Sequence, residues 1–188
     1  YAFGNRRPNC SGIILSKGYG DALMARIVQK FGGTSVGDID RIKNVALRVK
    51  AEVDQGNEVA VIVSAMAGVT SQLVGYCKQM APMHDAREYD VIVSTGEQVT
   101  AGLLSIALQG LAVEARSWAG WQIPIATDDA HGKARILDIK SEELIDRMGR
   151  GQVAVVAGFQ GVDSDNRITT LGRGGSDTTA VALAAAVN

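Results

Sequence analysis

Five short stretches of this sequence carry residues able to bind a small charged ligand. The first, Lys30-Phe-Gly-Gly-Thr-Ser35, places a lysine before a glycine pair and a Thr-Ser pair. Because glycine lacks a Cβ, the backbone there can approach a ligand closely, and its N–H groups suit an anion. The order differs from that of the P-loop, in which the lysine follows the glycines. This stretch predicts either a phosphate contact or an ordinary turn from a strand into a helix.

The second stretch, Leu171-Gly-Arg-Gly-Gly-Ser-Asp-Thr-Thr179, surrounds an arginine with glycines. Such a loop presents backbone N–H groups, while Arg173 can pair in bidentate fashion with a carboxylate or a phosphate. Ser176 or Asp177 can also cap the helix that follows. Capping explains those two residues but not the Gly-Arg-Gly-Gly run, so the pattern favours an anion site.

The remaining three stretches contain small residues and one carboxylate. Ser94-Thr-Gly-Glu97 lies between two helical segments. Glu97 is there either an exposed carboxylate in the first turn of a helix or a carboxylate that binds the ammonium group of a substrate. Ser64–Thr70 and Gly158–Gly161 each follow a buried strand. In open α/β sheets, ligands bind at the carboxyl ends of the strands. Four of the five stretches lie at such ends, so the sequence predicts one shared site along that edge.

An alternation of strands and helices positions these stretches. Strands are predicted at Arg26–Phe31, Val59–Val63, Ala112–Ser117, near Ala134–Leu137 and at Gln152–Ala157. Helices are predicted at Asp40–Asp54, Ser71–Met80, Tyr89–Ser94, Gln98–Gln109, Ser141–Met148 (capped by Ser141) and from Asp177 onward. Continuous apolar runs indicate strands buried on both faces, and Asp163–Asn166 predicts a hairpin tip. The order predicts a three-layer α/β/α sandwich with a largely parallel central sheet.

Composition narrows the function classes. The 188 residues, 46% hydrophobic and 21% charged, fit one domain or most of a larger one. A net charge of −1 without clustered lysines or arginines gives no case for nucleic acid or a membrane surface. No apolar run reaches the roughly 18 residues that a membrane-spanning helix needs. Cys10 and Cys77 predict unpaired thiols in a reducing cytoplasm, and His84 and His131 are interpreted as isolated surface or structural residues.

The first 23 residues differ from the rest of the chain. Arg6-Arg7 precedes a very short apolar stretch that Lys17 interrupts, and no small-residue cleavage site follows. Met24 is the natural start of the pattern. We therefore expect residues 1–23 to be an extension outside the fold, and residues 24–188 to form the domain.

Four stretches together resemble the aspartate kinases of the amino acid kinase family. They are Lys30–Ser35, Ser94–Glu97, Val156–Gly161 and Thr169–Thr179, in that family's order, within a resemblance that spans residues 24–188. The resemblance implies the amino acid kinase fold and transfer of the γ-phosphoryl group of ATP to the side-chain carboxylate of L-aspartate. The product would be 4-phospho-L-aspartate, the first intermediate toward lysine, threonine and methionine. Mg²⁺ would accompany the ATP.

The resemblance also implies roles for individual residues. Lys30 and Asp177 would be catalytic, with Lys30 contacting the phosphates and Asp177 organising the lysine or the magnesium. The nucleotide phosphates would contact Lys30, Phe31, Gly32 and Gly33. The substrate would be bound by Thr34, Ser35, Thr70, Glu97, Arg173, Gly174, Gly175 and Ser176. Within that group Arg173 would hold the α-carboxylate of aspartate and Glu97 would orient or recognise it; no residue is assigned as a ligand of a resident metal.

Two alternatives stay open at this point. The chain can be another family member that acts on glutamate or a related acid, or a non-catalytic module that only binds ligand. Members of the family continue beyond the Ala-rich helix with a strand and loop for the nucleotide, and then with ACT domains that bind feedback inhibitors. We therefore expect these 188 residues alone to be poorly active or inactive, and the full-length enzyme to be a homo-oligomer.

Overall fold

The computed structural model describes the backbone of residues 12–15 and the whole of residues 24–188. Along the chain these residues form the following elements: β1 (Gly12–Leu15), β2 (Arg26–Phe31), α1 (Ile39–Val53), β3 (Glu58–Val63), α2 (Val69–Met80), α3 (Ala86–Val93), α4 (Thr95–Gln109), β4 (Ala115–Trp118), β5 (Ile125–Thr127), β6 (Ile136–Ile139), α5 (Glu142–Gly149), β7 (Val153–Ala157), β8 (Gln160–Val162), β9 (Ile168–Thr170) and α6 (Gly175–Ala186).

The central sheet has the strand order β1-β2-β3-β7-β4. From β2 to β4 the strands run parallel, in a register that pairs Val28 with Ala60 and Ile62 with Val156. Strands β3 and β7 lie at the middle of the sheet. They are apolar along almost their whole length because helices cover both of their faces. The predicted largely parallel sheet is confirmed.

Helices form a layer on each face of the sheet, and alternate side chains of β3 point to the two layers. Val61 packs into one core with α1 and α4, where Leu104 and Leu108 are fully buried. Ile62 packs into the opposite core with α5 and α6, where Leu183 is fully buried. The predicted three-layer sandwich is therefore confirmed.

A second, smaller sheet has the order β6-β5-β8-β9. Its β8–β9 hairpin turns at the predicted tip, where Asp163 Oδ1 accepts hydrogen bonds from the backbone N–H groups of Asp165 and Arg167. Strand β5 has three residues, too few for an alternating pattern, and the sequence did not reveal it. The strand predicted at Ala112 begins later because that residue has a positive φ of 58° in the turn after α4.

Helices α3 and α4 meet at Ser94 without an intervening loop. The combined segment Ala86–Gln109, of 24 residues, is long and apolar enough to cross a membrane by length and composition. The lengths of uninterrupted apolar runs in the sequence did not predict this. Half of its most apolar 18-residue stretch is buried inside the fold, and Leu104 packs against the central sheet. We interpret the segment as a core helix.

Part of the N-terminal extension contributes to the sheet. Gly12–Leu15 pairs antiparallel with β2, with Ile13 opposite Val28. This differs from the expectation that residues 1–23 take no part in the fold, because an open sheet edge offers unpaired N–H and C=O groups to any suitable strand. Residues 1–11 and 16–23, with Cys10, lie outside the described residues, whereas Cys77 is a buried free thiol.

Candidate active site

A cleft of about 340 Å³ lies at the carboxyl ends of β2, β3 and β7. All five stretches singled out from the sequence contribute to its walls. Its lining residues are Lys30, Gly33, Ser64–Gly68, Thr70, Ser71, Glu97, Phe159 and Gly172–Asp177. The predicted gathering of these stretches at one edge of the sheet is what the structure shows.

Lys30 and Asp177 form an ion pair at this cleft. Lys30 lies near the end of β2, and its Nζ is 2.8 Å from Oδ1 of Asp177 in the first turn of α6. The N-cap of α6 is Gly174, with a φ of 78°, and no side chain caps the helix. The alternative that Ser176 or Asp177 serves as the cap is therefore wrong, and Asp177 instead holds the lysine.

Glu97 is a buried carboxylate, not the exposed one that the first-turn alternative required. The residue is 3% exposed, and its Oε1 accepts a hydrogen bond of 3.0 Å from the backbone N–H of Ala65. Its Oε2 is buried without a hydrogen-bond partner among the described residues. Burial raises the pKa of Glu97 to about 7, although the hydrogen bond from Ala65 opposes the shift.

The position of Glu97 depends on the glycine before it. A Cβ on residue 96 would lie 2.8 Å from the Cβ of Ala65, closer than two carbon atoms can approach. Glycine thus lets α4 lie directly against the loop after β3, where the N–H of Ala65 reaches the Glu97 carboxylate.

Arg173 lies in an exposed loop whose glycines adopt the left-handed conformation, with φ of 76° at Gly172 and 78° at Gly174. No carboxylate of residues 24–188 forms an ion pair with Arg173, unlike Lys30, which is paired. The structure places Gly174, Gly175 and Ser176 along the same cleft and Thr70 on its α2 side. The guanidinium is therefore available to an anion.

Other predicted contacts lie elsewhere. The side chains of Thr34 and Ser35 line a separate cavity of about 360 Å³ together with Arg41 and Arg48. Phe31 is buried in the core, where its carbonyl oxygen accepts a hydrogen bond of 3.1 Å from Ser64 N. The carbonyl oxygen of Gly32 accepts from Ser35 N to close the turn. The structure does not bring Phe31, Gly32, Thr34 or Ser35 into the lining of the cleft.

Gln160 is a positioning residue that sequence reasoning did not assign. Its fully buried Nε2 donates to the carbonyl oxygen of Ser94 over 3.0 Å, and its Oε1 accepts from Nε2 of Gln98 over 3.2 Å. These bonds fix the start of α4 to the second sheet. The available signal was a glutamine within the Gly158–Gly161 stretch, just after a buried strand.

His131 has a structural role, one of the two that the sequence interpretation left open, but it is not isolated, since its Nδ1 lies 2.8 Å from Oδ2 of Asp90. The two residues are 41 positions apart, and no local pattern joins them. His84 is exposed and stacks on Tyr89, in agreement with a surface role.

The fit of the cleft to Mg²⁺ rests on Asp177. Among the described residues, no three or more histidine, cysteine, aspartate or glutamate side chains are arranged so that they could hold a metal ion. Magnesium bound with a nucleotide commonly uses one or two carboxylates together with phosphate oxygens. Asp177, with a side chain 70% exposed, presents such a carboxylate, which fits an ion delivered with the nucleotide.

Comparisons with known proteins agree with this geometry. The profile of the amino acid kinase family matches residues 25–188. An aspartokinase of Bacillus sp. (strain MGA3) is 54% identical over 164 residues, which cover 87% of this chain and 40% of that protein. An aspartokinase of Pseudomonas aeruginosa is 57% identical with the same coverage. The chain thus spans about two fifths of the length of these curated relatives.

Solved structures have a similar fold. The aspartate kinase of Synechocystis superposes with a TM-score of 0.72 at 48% identity, covering 85% of this chain and 26% of that one. Aspartokinase III of E. coli, in complex with aspartate and ADP, gives a TM-score of 0.74 at 27% identity, covering 85% of this chain and 46% of that one.

Proposed function

The chain belongs to the amino acid kinase family, and we propose that it forms the aspartate- and phosphate-binding part of an aspartate kinase catalytic domain. The reaction is transfer of the γ-phosphoryl group of ATP to the side-chain carboxylate of L-aspartate. The observation that carries the proposal is that one cleft holds both the Oε2 atom of Glu97, which has no hydrogen-bond partner within residues 24–188, and the exposed guanidinium of Arg173. The similar aspartokinase III that holds aspartate and ADP supports it.

The two charged groups suit the two ends of an amino acid. Arg173 would pair with the α-carboxylate, because a guanidinium matches a carboxylate in bidentate geometry. Glu97 would accept a hydrogen bond from the α-ammonium group at Oε2, the atom that has no partner within residues 24–188. An ammonium ion there also favours the ionised form of Glu97 over the protonated form that burial favours.

Phosphoryl transfer to a carboxylate needs no general base, because the nucleophile is already an anion. The barrier lies in bringing two anions together in line and in neutralising the charge of the transferring group. Lys30 would supply that positive charge, and the 2.8 Å contact with Asp177 holds its Nζ at the cleft. Gly33 lines the cleft beside Lys30 and would approach the phosphates with its backbone.

The remaining properties follow from the resemblance. Mg²⁺ bound with ATP would be held by Asp177 and the phosphates and would supply further charge neutralisation. A cytoplasmic location and homo-oligomeric assembly of the full-length protein are part of the same proposal.

A hydroxamate assay on the full-length protein tests the substrate, because hydroxylamine traps an acyl phosphate. We expect aspartate to give a kcat/KM at least about 10-fold above that of glutamate, since one methylene misplaces the nucleophile. Equal or greater turnover of glutamate would contradict the proposal and favour the related-acid alternative.

Arg173→Ala tests the assignment of the α-carboxylate. The KM for aspartate should rise by about 10-fold or more, as expected for the loss of a charge-assisted bidentate pair. Arg150→Ala is the matched control, because this exposed arginine pairs with Asp146 on α5.

Calorimetry with aspartate and ATP-magnesium addresses the non-catalytic alternative: a folded full-length protein that binds both ligands without turnover would support that alternative.

A further inference from the structure

A buried carboxylate lies outside the cleft, on α3. Asp90 is fully buried, and its Oδ2 accepts hydrogen bonds from Thr170 N at 3.0 Å, Gly132 N at 3.0 Å and His131 Nδ1 at 2.8 Å. Its Oδ1 accepts a bond of 2.6 Å from Thr170 Oγ1. One side chain therefore joins α3 to the end of β9 and to the turn that contains His131 and Gly132.

The imidazole of His131 is itself held from both sides. Its Nδ1 faces Asp90, and its Nε2 lies 3.4 Å from Oδ2 of Asp163 at the tip of the β8–β9 hairpin. Since Asp90 accepts at Oδ2, the Nδ1 atom carries the proton of that contact. The ring is thus oriented by two carboxylates and in turn orients Asp90.

The donors to Asp90 adjoin the loop that carries Arg173. Thr170 ends β9 only three residues before that arginine, and its carbonyl oxygen accepts from Ala134 N at 2.9 Å. A Cβ on Gly172 would lie 3.1 Å from the carbonyl oxygen of Gly132, so the turn that contains Gly132 packs directly against the loop that carries Arg173. Asp90 therefore secures both segments that support the base of the loop.

On its own helix, Asp90 lies one turn before the junction with α4. The N–H of Ser94 donates to the carbonyl oxygen of Asp90 over 3.1 Å, and Glu97 lies in the next turn. A single carboxylate thus connects the helix that carries Glu97 with the loop that carries Arg173.

We propose that Asp90, oriented by His131, is a positioning residue that fixes Arg173 relative to Glu97 and so sets the affinity for the amino acid substrate. The inference rests on the proposed roles of Arg173 and Glu97. Lys30 lies on β2 and forms no hydrogen bond or ion pair with Asp90, His131 or Thr170, so the phosphoryl-transfer step should depend on Asp90 far less than amino acid binding does.

Steady-state kinetics of the full-length enzyme test the inference with Asp90→Asn, His131→Leu and Thr170→Val. Asn removes the negative charge and replaces one acceptor oxygen of Asp90 by an NH2 donor, Leu removes the Nδ1 donor, and Val removes the hydroxyl donor while keeping the shape of Thr170. We expect the KM for aspartate to rise by about 10-fold in the first two variants and less in the third, because small misplacements of binding groups cost that much. The kcat and the KM for ATP should change by less than about twofold.

His131→Asn provides the rescue, because its amide nitrogen can take the place of Nδ1 as donor to Asp90. Its KM for aspartate should return to within about threefold of wild type. The control is His84→Leu, which alters an exposed histidine that stacks on Tyr89 and should leave the kinetics unchanged. Thermal unfolding of each variant establishes that the measured enzyme is folded.

Folded His131→Leu and Asp90→Asn enzymes with an unchanged KM for aspartate would overturn the inference, even with a lowered melting temperature. So would a fall in kcat at constant KM, or a His131→Asn variant no better than His131→Leu. Should Asp90→Asn not fold, Thr170→Val and the two His131 variants decide the matter. A wild-type enzyme that does not phosphorylate aspartate would overturn the proposed function, and this inference with it; intact wild-type activity with unaffected variants overturns this inference alone.

Discussion

At the scale of single residues, Glu97 combines burial with an incomplete set of hydrogen bonds. One carboxylate oxygen accepts from Ala65, while the other has no partner among the described residues. Desolvation raises the pKa of Glu97 to about 7 because the charged form loses its hydration. A cationic ligand group would satisfy the second oxygen and restore the charge, so in the proposed reaction ligand binding and ionisation are linked.

Without ligand, this burial should make stability depend on pH. The folded pKa of about 7 lies above the ordinary value of 4.5, so the folded state holds its proton more tightly than the unfolded state. The stabilising contribution is present below about pH 4.5 and is lost as pH rises through 7. Relative to Glu97→Gln, which cannot ionise, the wild type should lose on the order of 3 kcal/mol across that window.

Urea unfolding of both proteins near pH 4.5 and near pH 8 measures this difference. We expect similar stabilities in acid and a more stable Glu97→Gln protein in base. A stability difference that is the same at both pH values would show that Glu97 ionises normally in the folded chain.

Lys30→Ala should separate catalysis from binding. Its charge matters most when the transferring phosphoryl group is between donor and acceptor, so kcat should fall by roughly 10²- to 10³-fold with a much smaller change in the KM for aspartate. Lys78→Ala is a suitable control, because this lysine is exposed in the last turn of α2. If only the affinity for aspartate changed, Lys30 would be a substrate-binding residue and not a catalytic one.

At the scale of elements, the sequence predicted the strands and helices that have strong periodicity, and it placed β2 correctly at Arg26–Phe31. It began α4 at Gln98, whereas the helix begins at Thr95. Gly96 disfavours helix locally, but the contacts of this turn with Ala65 and Gln160 stabilise it. Local propensity could not have shown those contacts.

The capping of α5 illustrates the same limit. Ser141 was predicted as the N-cap, and it does occupy that position, but its side chain does not bond to the helix N–H groups. Its Oγ donates instead to the carbonyl oxygen of Ala186, 45 residues away, over 2.8 Å. The residue type was a correct signal for the helix start, whereas the partner depends on how α6 packs.

Gly96→Ala tests the close approach of α4 to the loop after β3. The new methyl group would overlap the Cβ of Ala65, so we expect a loss of about 1–3 kcal/mol in the free energy of unfolding and a raised KM for aspartate. Gly102→Ala, on the same helix, meets no atom within 4 Å and should stabilise by roughly 0.5–1 kcal/mol. Urea unfolding of both variants checks the contrast; equal effects would contradict the close-approach argument.

At the scale of the whole molecule, the central sheet separates two hydrophobic cores. For the three stretches that follow β2, β3 and β7, the gathering at one edge was predictable, because parallel strands end together. The Asp90–His131 contact was not, since it depends on how the second sheet docks on α3. The residues that line the cleft can thus be predicted from the order of strands and helices. The residues that support the cleft from behind, such as Asp90 and His131, depend on tertiary packing that the sequence pattern does not show.

The two cores should contribute independently to stability. Leu104→Ala and Leu183→Ala each remove a fully buried leucine from a different face and should each cost about 2–5 kcal/mol. The double variant should equal the sum within about 0.5 kcal/mol, because the sheet lies between the two sites. Leu47→Ala, at an exposed position of α1, should cost much less. Denaturant unfolding measures all four proteins, and strong coupling between the two core sites would contradict the separation.

The ion pair of Lys30 with Asp177 and the hydrogen bond of Glu97 to Ala65 fix two ends of one cleft. In the proposed reaction, one end binds the α-ammonium and α-carboxylate groups that every α-amino acid shares, and the other end positions the phosphoryl group. The distance between the two ends therefore selects the length of the side chain between them. A side chain one carbon longer would place its carboxylate about 1.5 Å from the position required for transfer, so selectivity among acidic amino acids would come from side-chain length.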